Sequence, residues 1–278
     1  MARNNVYLYY RNTQRHETQV RKLIDVGTRY GLNVVQDHRQ ANIIVSIGGD
    51  GAFLQAARFT GFRDDAIYVG FAEGPNSFYC DFDINDLSAV EAIFKETGNR
   101  VSDGEIEVRR YPLLEASING GPPMLCLNEC SVKSSIIKSL AIEVYIDDFL
   151  FETFRGDGMV ISTPTGSTAY NKSLSGAIVD PLIHCLQVSE IASVNNNRYR
   201  TLGSAFLLNR GRKLSLRIIE DGNDYPIIGM DNEALSLTRT DSVDIQLSEK
   251  ELKTVKLTNN TFWHLSLIHI SEPTRLST

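Results

Sequence analysis

Cysteine is scarce in this chain, and its spacing excludes the chemistries that depend on it. Cys80, Cys126, Cys130 and Cys185 are the four present. They show neither a disulfide framework nor a zinc pattern, and no histidine sits at a partnering distance from Cys126 and Cys130. Reduced, mostly buried thiols are expected. Long apolar runs are absent as well: none approaches the roughly 18 residues of a membrane span. The opening MARNNVYLYYRN enters a strand pattern without the apolar core of a signal peptide, so a cytoplasmic location with no membrane association is expected. Clusters of positive charge are missing too. With a formal net charge of −6, the chain is a poor match for nucleic acid, whose phosphates call for grouped Lys and Arg. What remains is the composition of a globular protein, 42% hydrophobic and 22% charged over 278 residues. That length accommodates one large domain or two ordinary ones.

The stretch that organises the rest is IIVSIGGDGAFLQAA, from Ile43 to Ala57. An apolar run ends in Gly48-Gly49-Asp50-Gly51, and Phe53, Leu54, Ala56 and Ala57 follow at helical spacing. This reads as a buried parallel strand, a tight turn and a helix N-terminus. Glycines give the turn unusual backbone angles and let a ligand come close to the main chain. Open N–H groups at a helix start favour a phosphate. A carboxylate repels phosphate, so Asp50 needs a reason to be there. Accepting the proton of a hydroxyl that attacks the phosphate is one; common turn chemistry is the other.

The chain up to about residue 101 reads as an open, mostly parallel α/β sheet. Val6–Tyr10, Leu32–Val35, Ile43–Ile47 and Ile67–Phe71 are its expected strands. Helices are expected over Thr13–Tyr30, up to Phe59, and from Leu87 to Gly98. In such sheets ligands bind beyond the carboxyl ends of the strands, where Asp50 lies. Gly70–Asp83 also follows a strand end and offers an opposite wall, or an ordinary connection. From 102 to 264 the pattern becomes mainly β, a sandwich or layered sheet. Glu105–Ile118 and Met124–Val132 read as strands joined by Asn119-Gly120-Gly121. Hairpins are expected at 141–154, around Asp147-Asp148, and at 214–230, around Asp221-Gly222-Asn223. Short strands follow at 235–237, 243–247 and 255–257. Residues 265–278 match nothing before them, and SLIHISEPTR resembles the translation of a sequencing-library adapter. They are expected to be a non-native tail without regular structure.

A second constellation lies in FRGDGMVISTPTGSTAYN, from Phe154 to Asn171. Thr163, Thr165, Ser167 and Thr168 crowd around Pro164 and Gly166. Such a run suits a loop offering hydroxyls and N–H groups to a polar ligand. Tyr170 supplies a flat face for a base. Asp157 is another carboxylate held in a turn, and Asn128 and Glu129 place an amide and an acid together at a strand end.

GGDG after a strand, Asn128-Glu129, and then GDGMVISTPTGSTAYNKSLSGAIVDP from Gly156 to Pro181, followed by Asn195-Asn196 and Arg200–Ser204, together resemble the NAD kinases of the compact bacterial type. The likeness runs from Val6 to about His264. It implies an α/β N-terminal domain and a β-rich C-terminal domain with NAD in the crevice between them. It also implies transfer of the ATP γ-phosphoryl group to the 2′-hydroxyl of the adenosine ribose, giving NADP. By that resemblance Asp50 is the general base, with Gly48, Gly49 and Gly51 at the phosphates and Gly51 also at NAD. Asn128 and Glu129 hold ribose hydroxyls. Arg155, Asp157, Thr168, Ala169, Tyr170, Asn171, Lys172, Ser173 and Ala192 line the dinucleotide. Mg²⁺ or another divalent cation is expected to arrive mainly with the nucleotide rather than in a protein cage. A homodimer or homotetramer with a shared site is implied as well. Two departures stand out: Ala52 replaces the family's usual Thr, and Glu73–Tyr79 differs from the usual loop after the fourth strand. A non-catalytic NAD sensor, or a lipid or sugar kinase sharing the GGDG turn, are the alternatives.

Overall fold

The computed structural model describes residues 4–11, 13–74, 77–88, 90–91, 106–197, 199–235 and 239–271. The chain forms two compact units, one of Met1–Arg110 with Leu252–Thr278, the other of Tyr111–Glu251. The first break, expected near residue 101, falls instead within a strand, at Arg110–Tyr111.

The first unit is an open parallel sheet. Strands β1 (Asn5–Tyr10), β2 (Asn33–Val34), β3 (Ile43–Ile47), β4 (Ile67–Ala72) and β5 (Phe82–Asp83) pair in parallel in the order β2-β1-β3-β4-β5. Thr254, near the end of the chain's last strand, lies parallel and opposite Tyr68 of β4. Helix α1 (Gln14–Arg29) starts where the Thr13 hydroxyl accepts from the His16 N–H at 3.3 Å, and Gly31, at φ +78°, ends it. It buries Val20 and Leu23 against Val6, Val45, Ile47 and Phe71. Helix α2 (Gly49–Phe59) buries Phe53, Leu54, Ala56 and Ala57, the four residues its spacing predicts. Of the helix expected over 87–98, Ser88, Val90 and Glu91 are helical and Leu87 is not; residues 89 and 92–98 lie outside the described residues.

The expectation that 265–278 lacks regular structure is corrected as far as Ser271, and residues 272–278 lie outside the described residues. Phe262–Ser271 forms a helix, with Leu265 and Ser266 buried. Its sequence is apolar and free of Gly and Pro, so nothing local interrupts the turn started at Thr261.

The second unit is a sandwich of two sheets. One holds β6 (Ile106–Ile118), β7 (Met124–Cys126), β9 (Leu140–Ile146), β10 (Phe149–Gly156), β14 (Leu214–Ile218) and β17 (Ser242–Leu257). The other runs β13 (Phe206–Asn209), β12 (Cys185–Ile191), β11 (Gly158–Ser162), β8 (Glu129–Lys133), β15 (Ile227–Met230), β16 (Glu233–Ala234), antiparallel throughout. Leu114, Ile142, Val144, Phe154, Leu216 and Ile245 from the first sheet meet Val132, Met159, Ile161, Val188 and Met230 from the second in one buried core. The Asp147-Asp148 hairpin joins β9 and β10, both turn residues having positive φ.

Three strand expectations change. Met124–Val132 is two strands in different sheets, because the N–H groups of Leu127 and Asn128 bond the Asp231 carboxylate instead of a ladder partner. Leu214–Ile218 and Ile227–Met230 are not a hairpin. The turn between them exists, but buried Asn223 donates to Ser134 Oγ at 2.9 Å and to the Lys138 carbonyl at 2.8 Å, and the chain crosses to the other sheet. Residues 243–247 and 255–257 belong to a single strand, β17. Leu235 follows the short β16, and residues 236–238 lie outside the described residues. Among the described residues no helix is long and apolar enough to cross a membrane.

Candidate active site

In the first unit, Gly48 and Gly49 take φ of +129° and +76°, angles that L side chains rarely adopt. The Gly48 N–H donates to the Phe71 carbonyl at 3.0 Å, fixing the turn at the strand ends. Among the described residues no side chain caps α2, and a Cβ on Gly51 would meet nothing within 4 Å, so among them the first turn has room beside it. Asp50 stands in that turn. Its carboxylate accepts from the Ser77 hydroxyl, from the Phe78 N–H at 2.9 Å and from the Tyr79 N–H at 2.8 Å. The loop after β4 therefore does come to Asp50, through residues 77–79; Pro75 and Asn76 lie outside the described residues. Glu73 accepts from Gln19 at 3.4 Å.

Sequence reasoning missed what holds this loop. Lys256 is fully buried; its ammonium donates to the Phe78 carbonyl at 2.8 Å and pairs with Asp81. Asp81 also accepts from the Leu257 N–H at 2.7 Å and from Asn260 at 2.8 Å. Burial lowers the Lys256 pKa and the Asp81 charge opposes that shift. Cys80, next in the loop, is pushed up to about 12 by burial and then by the Asp50 charge, which makes it an inert thiol.

In the second unit the centre is the 127–129 segment. Asp231, at φ +54°, accepts from Leu127 N (3.0 Å) and Asn128 N (2.7 Å), and its own N–H donates to the Glu129 carbonyl at 2.9 Å. It too was missed, although Met230-Asp231-Asn232-Glu233 is a dense acidic turn at a strand end. Glu129 is 8% exposed, and its Oε2 has no hydrogen-bond partner among the described residues. Burial, then the Asp231 charge, pushes its pKa up to about 8, against the Tyr170 N–H. Glu129 is thus a neutral acid near pH 7, able to donate to a hydroxyl.

The hydroxyl-rich loop divides into two kinds of residue. Thr163, Thr165 and Ser167 face inward. Thr163 donates to the Leu127 carbonyl at 2.5 Å and accepts from the Gly166 N–H at 3.1 Å, while Ser167 donates to the Pro164 carbonyl and accepts from the Val179 N–H. Asn171, expected to line the dinucleotide, is fully buried. It donates to the carbonyls of Ser167 and Ala177 and accepts from Ser189 Oγ at 2.7 Å. The structure therefore gives Asn171 a packing role, its amide being turned into the loop. Thr168, Ala169 and Tyr170 are half-buried, and Lys172 and Ser173 exposed. Lys133 Nζ lies 5.5 Å from the Tyr170 ring centre.

Arg155, Asp157 and Ala192 gather at the start of β11. The Asp157 N–H donates to the Ile191 carbonyl and the Val194 N–H to the Arg155 carbonyl, which brings Ala192, at φ +47°, beside them. The Asp157 side chain is exposed. The Arg155 guanidinium is already engaged by Ser139 at 2.9 Å, Tyr199 at 3.0 Å and Asp221 at 3.1 Å.

The chain matches known proteins. Residues 127–257 fit the family described as ATP-NAD kinase C-terminal domain. Over 263 residues, 94% of this chain and 96% of the relative, it is 54% identical to NAD kinase 2 of Bacillus subtilis. NAD kinase 2 of Halalkalibacterium halodurans is 53% identical over 262 residues, with the same coverage. This chain belongs to the NAD kinase family. It is an enzyme of that family. Its fold is also that of an Archaeoglobus fulgidus NAD kinase solved with ATP, at TM-score 0.73 and 21% identity over 94% of this chain and 98% of that one. Yeast NADH kinase solved with NADH aligns at TM-score 0.75 and 18% identity, over 99% of this chain and 90% of that one.

Proposed function

We propose that this chain phosphorylates NAD, moving the γ-phosphoryl group of ATP onto the 2′-hydroxyl of the adenosine ribose, with Asp50 as proton acceptor. The ribose O–H proton passes to an Asp50 oxygen, the ribose oxygen bonds to the γ-phosphorus, and the bond to the ADP oxygen breaks. The observation that carries this reading is the place of Asp50: a carboxylate in the first turn of a helix that, among the described residues, has no side-chain cap and open space at Gly51. The names of the relatives and the ligands of the solved neighbours support the two substrates.

Gly48, Gly49 and Gly51 serve the phosphates. Asn128 and a neutral Glu129 hold ribose hydroxyls, and Tyr170 faces a base. Thr168, Ala169, Lys172 and Ser173, with Arg155, Asp157 and Ala192, complete the binding surface. A divalent cation would come mainly with the nucleotide, since Mg²⁺ keeps most of its positions for phosphate and water. Such a cation would neutralise phosphate charge. The four free, buried cysteines fit a reducing, cytoplasmic setting. A homo-oligomer is favoured by the apolar outer strands of the second unit, where Phe149 is 68% and Leu207 52% exposed.

The test is NADP formation by the purified chain from NAD, ATP and Mg²⁺. Asp50→Asn is expected to lower kcat by about 100-fold or more while leaving NAD affinity unchanged. Full turnover in that variant would remove Asp50 from the chemistry.

A further inference from the structure

Of the three groups that donate to Asp50, one peptide also reaches a buried cation. The Phe78–Tyr79 peptide presents its N–H to Asp50 Oδ1 at 2.8 Å and its carbonyl to Lys256 Nζ at 2.8 Å. Carboxylate and buried ammonium are thus joined end to end through one amide plane. An amide whose carbonyl accepts from a cation becomes a stronger donor at its N–H, because hydrogen bonds in series polarise one another.

Everything around this peptide serves to fix it. The Ser77 hydroxyl, which donates to Asp50, accepts from the Cys80 N–H at 3.0 Å and closes the turn. Tyr79 is 4% exposed and its ring stacks on Phe53 of α2 with centroids 5.1 Å apart. A Cβ on Gly70 would come within 2.6 Å of Cys80 Sγ and 2.9 Å of the Tyr79 carbonyl, so glycine at β4 lets the turn lie this close. Lys256 has no exposed surface, and a buried ion pair is not an efficient source of stability. Its geometry points to another use.

We propose that Lys256 is a positioning residue for Asp50, acting through the Phe78–Tyr79 peptide, with Asp81 holding the ammonium in place. This rests on the reading of Asp50 as the proton acceptor. The Lys256 ammonium bonds the Phe78 carbonyl and Asp81, so it acts on the chemistry through that peptide. Its effect falls on the rate of transfer rather than on binding of the dinucleotide.

The charged and titratable groups facing the Lys256 ammonium are Asp81 and Cys80, which favour its charged form, and Arg109, which disfavours it. Two variants of the full chain separate positioning from general support. The double variant Lys256→Met with Asp81→Asn removes the cation without stranding a lone buried charge. It is expected to lower kcat about tenfold with KM for NAD within about twofold, and to change kcat less than about twofold when Asp50 is already Asn. Undiminished kcat in the folded double variant, or an equal fall in both backgrounds, overturns the proposal. Should the double variant fail to fold, Asp81→Asn alone decides. Without that carboxylate Lys256 gives up its proton at lower pH, so kcat falls on the alkaline side and recovers on acidification; a pH profile superimposable on the parent's overturns the proposal. An active Asp50→Asn enzyme would instead sink the proton-acceptor reading, whatever the Lys256 variants do.

Discussion

The carbonyl of Asn128 sits directly over Gly166: a Cβ on residue 166 would lie 2.0 Å from that oxygen. Backbone meets backbone here, with no flexible side chain to give way. Gly166→Ala is therefore expected to push the 163–168 turn off the 127–129 segment, costing about 3 kcal/mol. Because Asn128 and Glu129 belong to the proposed ribose-binding set, KM for NAD should rise more than kcat falls. Thermal unfolding with steady-state kinetics on the same sample checks both.

Asn171 offers a contrast between packing and binding. Its amide ties together Ser167, Ala177 and Ser189, and Gly176 lies so close that a Cβ there would meet Asn171 Oδ1 at 2.2 Å. Asn171→Ala leaves the Ser189 hydroxyl and two carbonyls without this partner, at about 1–3 kcal/mol for each buried group left unsatisfied. The loss should appear in urea unfolding. At temperatures where the variant is folded, NAD affinity should stay within about twofold of the parent. A large affinity loss without destabilisation would return Asn171 to the ligand surface.

How far these sites were legible in the sequence depended on how local their causes are. The turn at Gly48–Gly51 was readable because strand, glycine angles and helix start are all set within a few residues. The hydroxyl-rich loop was readable as unusual, but composition does not say which way a side chain faces. Thr163, Thr165, Ser167 and Asn171 turn inward to hold the loop, leaving Thr168–Tyr170 partly accessible. Lys256 left no trace. Between Val255 and Leu257 on a strand, a lysine reads as the solvent-facing member of an alternation, and the distant Asp81 and Phe78 carbonyl make its burial tolerable. The supposed 214–230 hairpin failed for a similar reason: Asn223 finds its partners at Ser134 and Lys138, far away in sequence.

Glu129 sets a pH dependence. Its ordinary value of 4.5 rises to about 8 in the fold. At low pH the carboxyl is neutral in both folded and unfolded chains. As pH climbs past the ordinary value the unfolded chain gains the ionised form and the folded one does not, so this contribution to stability declines until about pH 8. Each unit of separation is worth about 1.4 kcal/mol, which puts the total on the order of a few kcal/mol. Glu129→Gln, neutral at every pH, should flatten the slope and be the more stable protein at alkaline pH. Its amide still donates, so KM for NAD near pH 7 should be almost unchanged. Urea titrations at several pH values, compared between parent and variant, measure the effect directly.

The last prediction concerns the outer strands of the sandwich. β10 and β13 each end their sheet, and although β10 carries Glu152 and Arg155, its first residues and those of β13 expose apolar side chains. Phe149, Leu150 and Phe151 follow one another on β10, at 68%, 44% and 37% exposed. Phe151 packs at a tilt against Phe206 of β13, ring centres 5.2 Å apart, so the apolar surface is continuous from one sheet to the other. In the homo-oligomer proposed above, a second copy of the chain would cover this apolar surface about a two-fold axis. Phe149→Lys with Phe151→Lys should leave the circular dichroism spectrum unaltered while reducing the sedimenting mass to that of one chain. If the parent already sediments as a single chain, or the double variant keeps the parent's larger mass, these strands are not where copies meet.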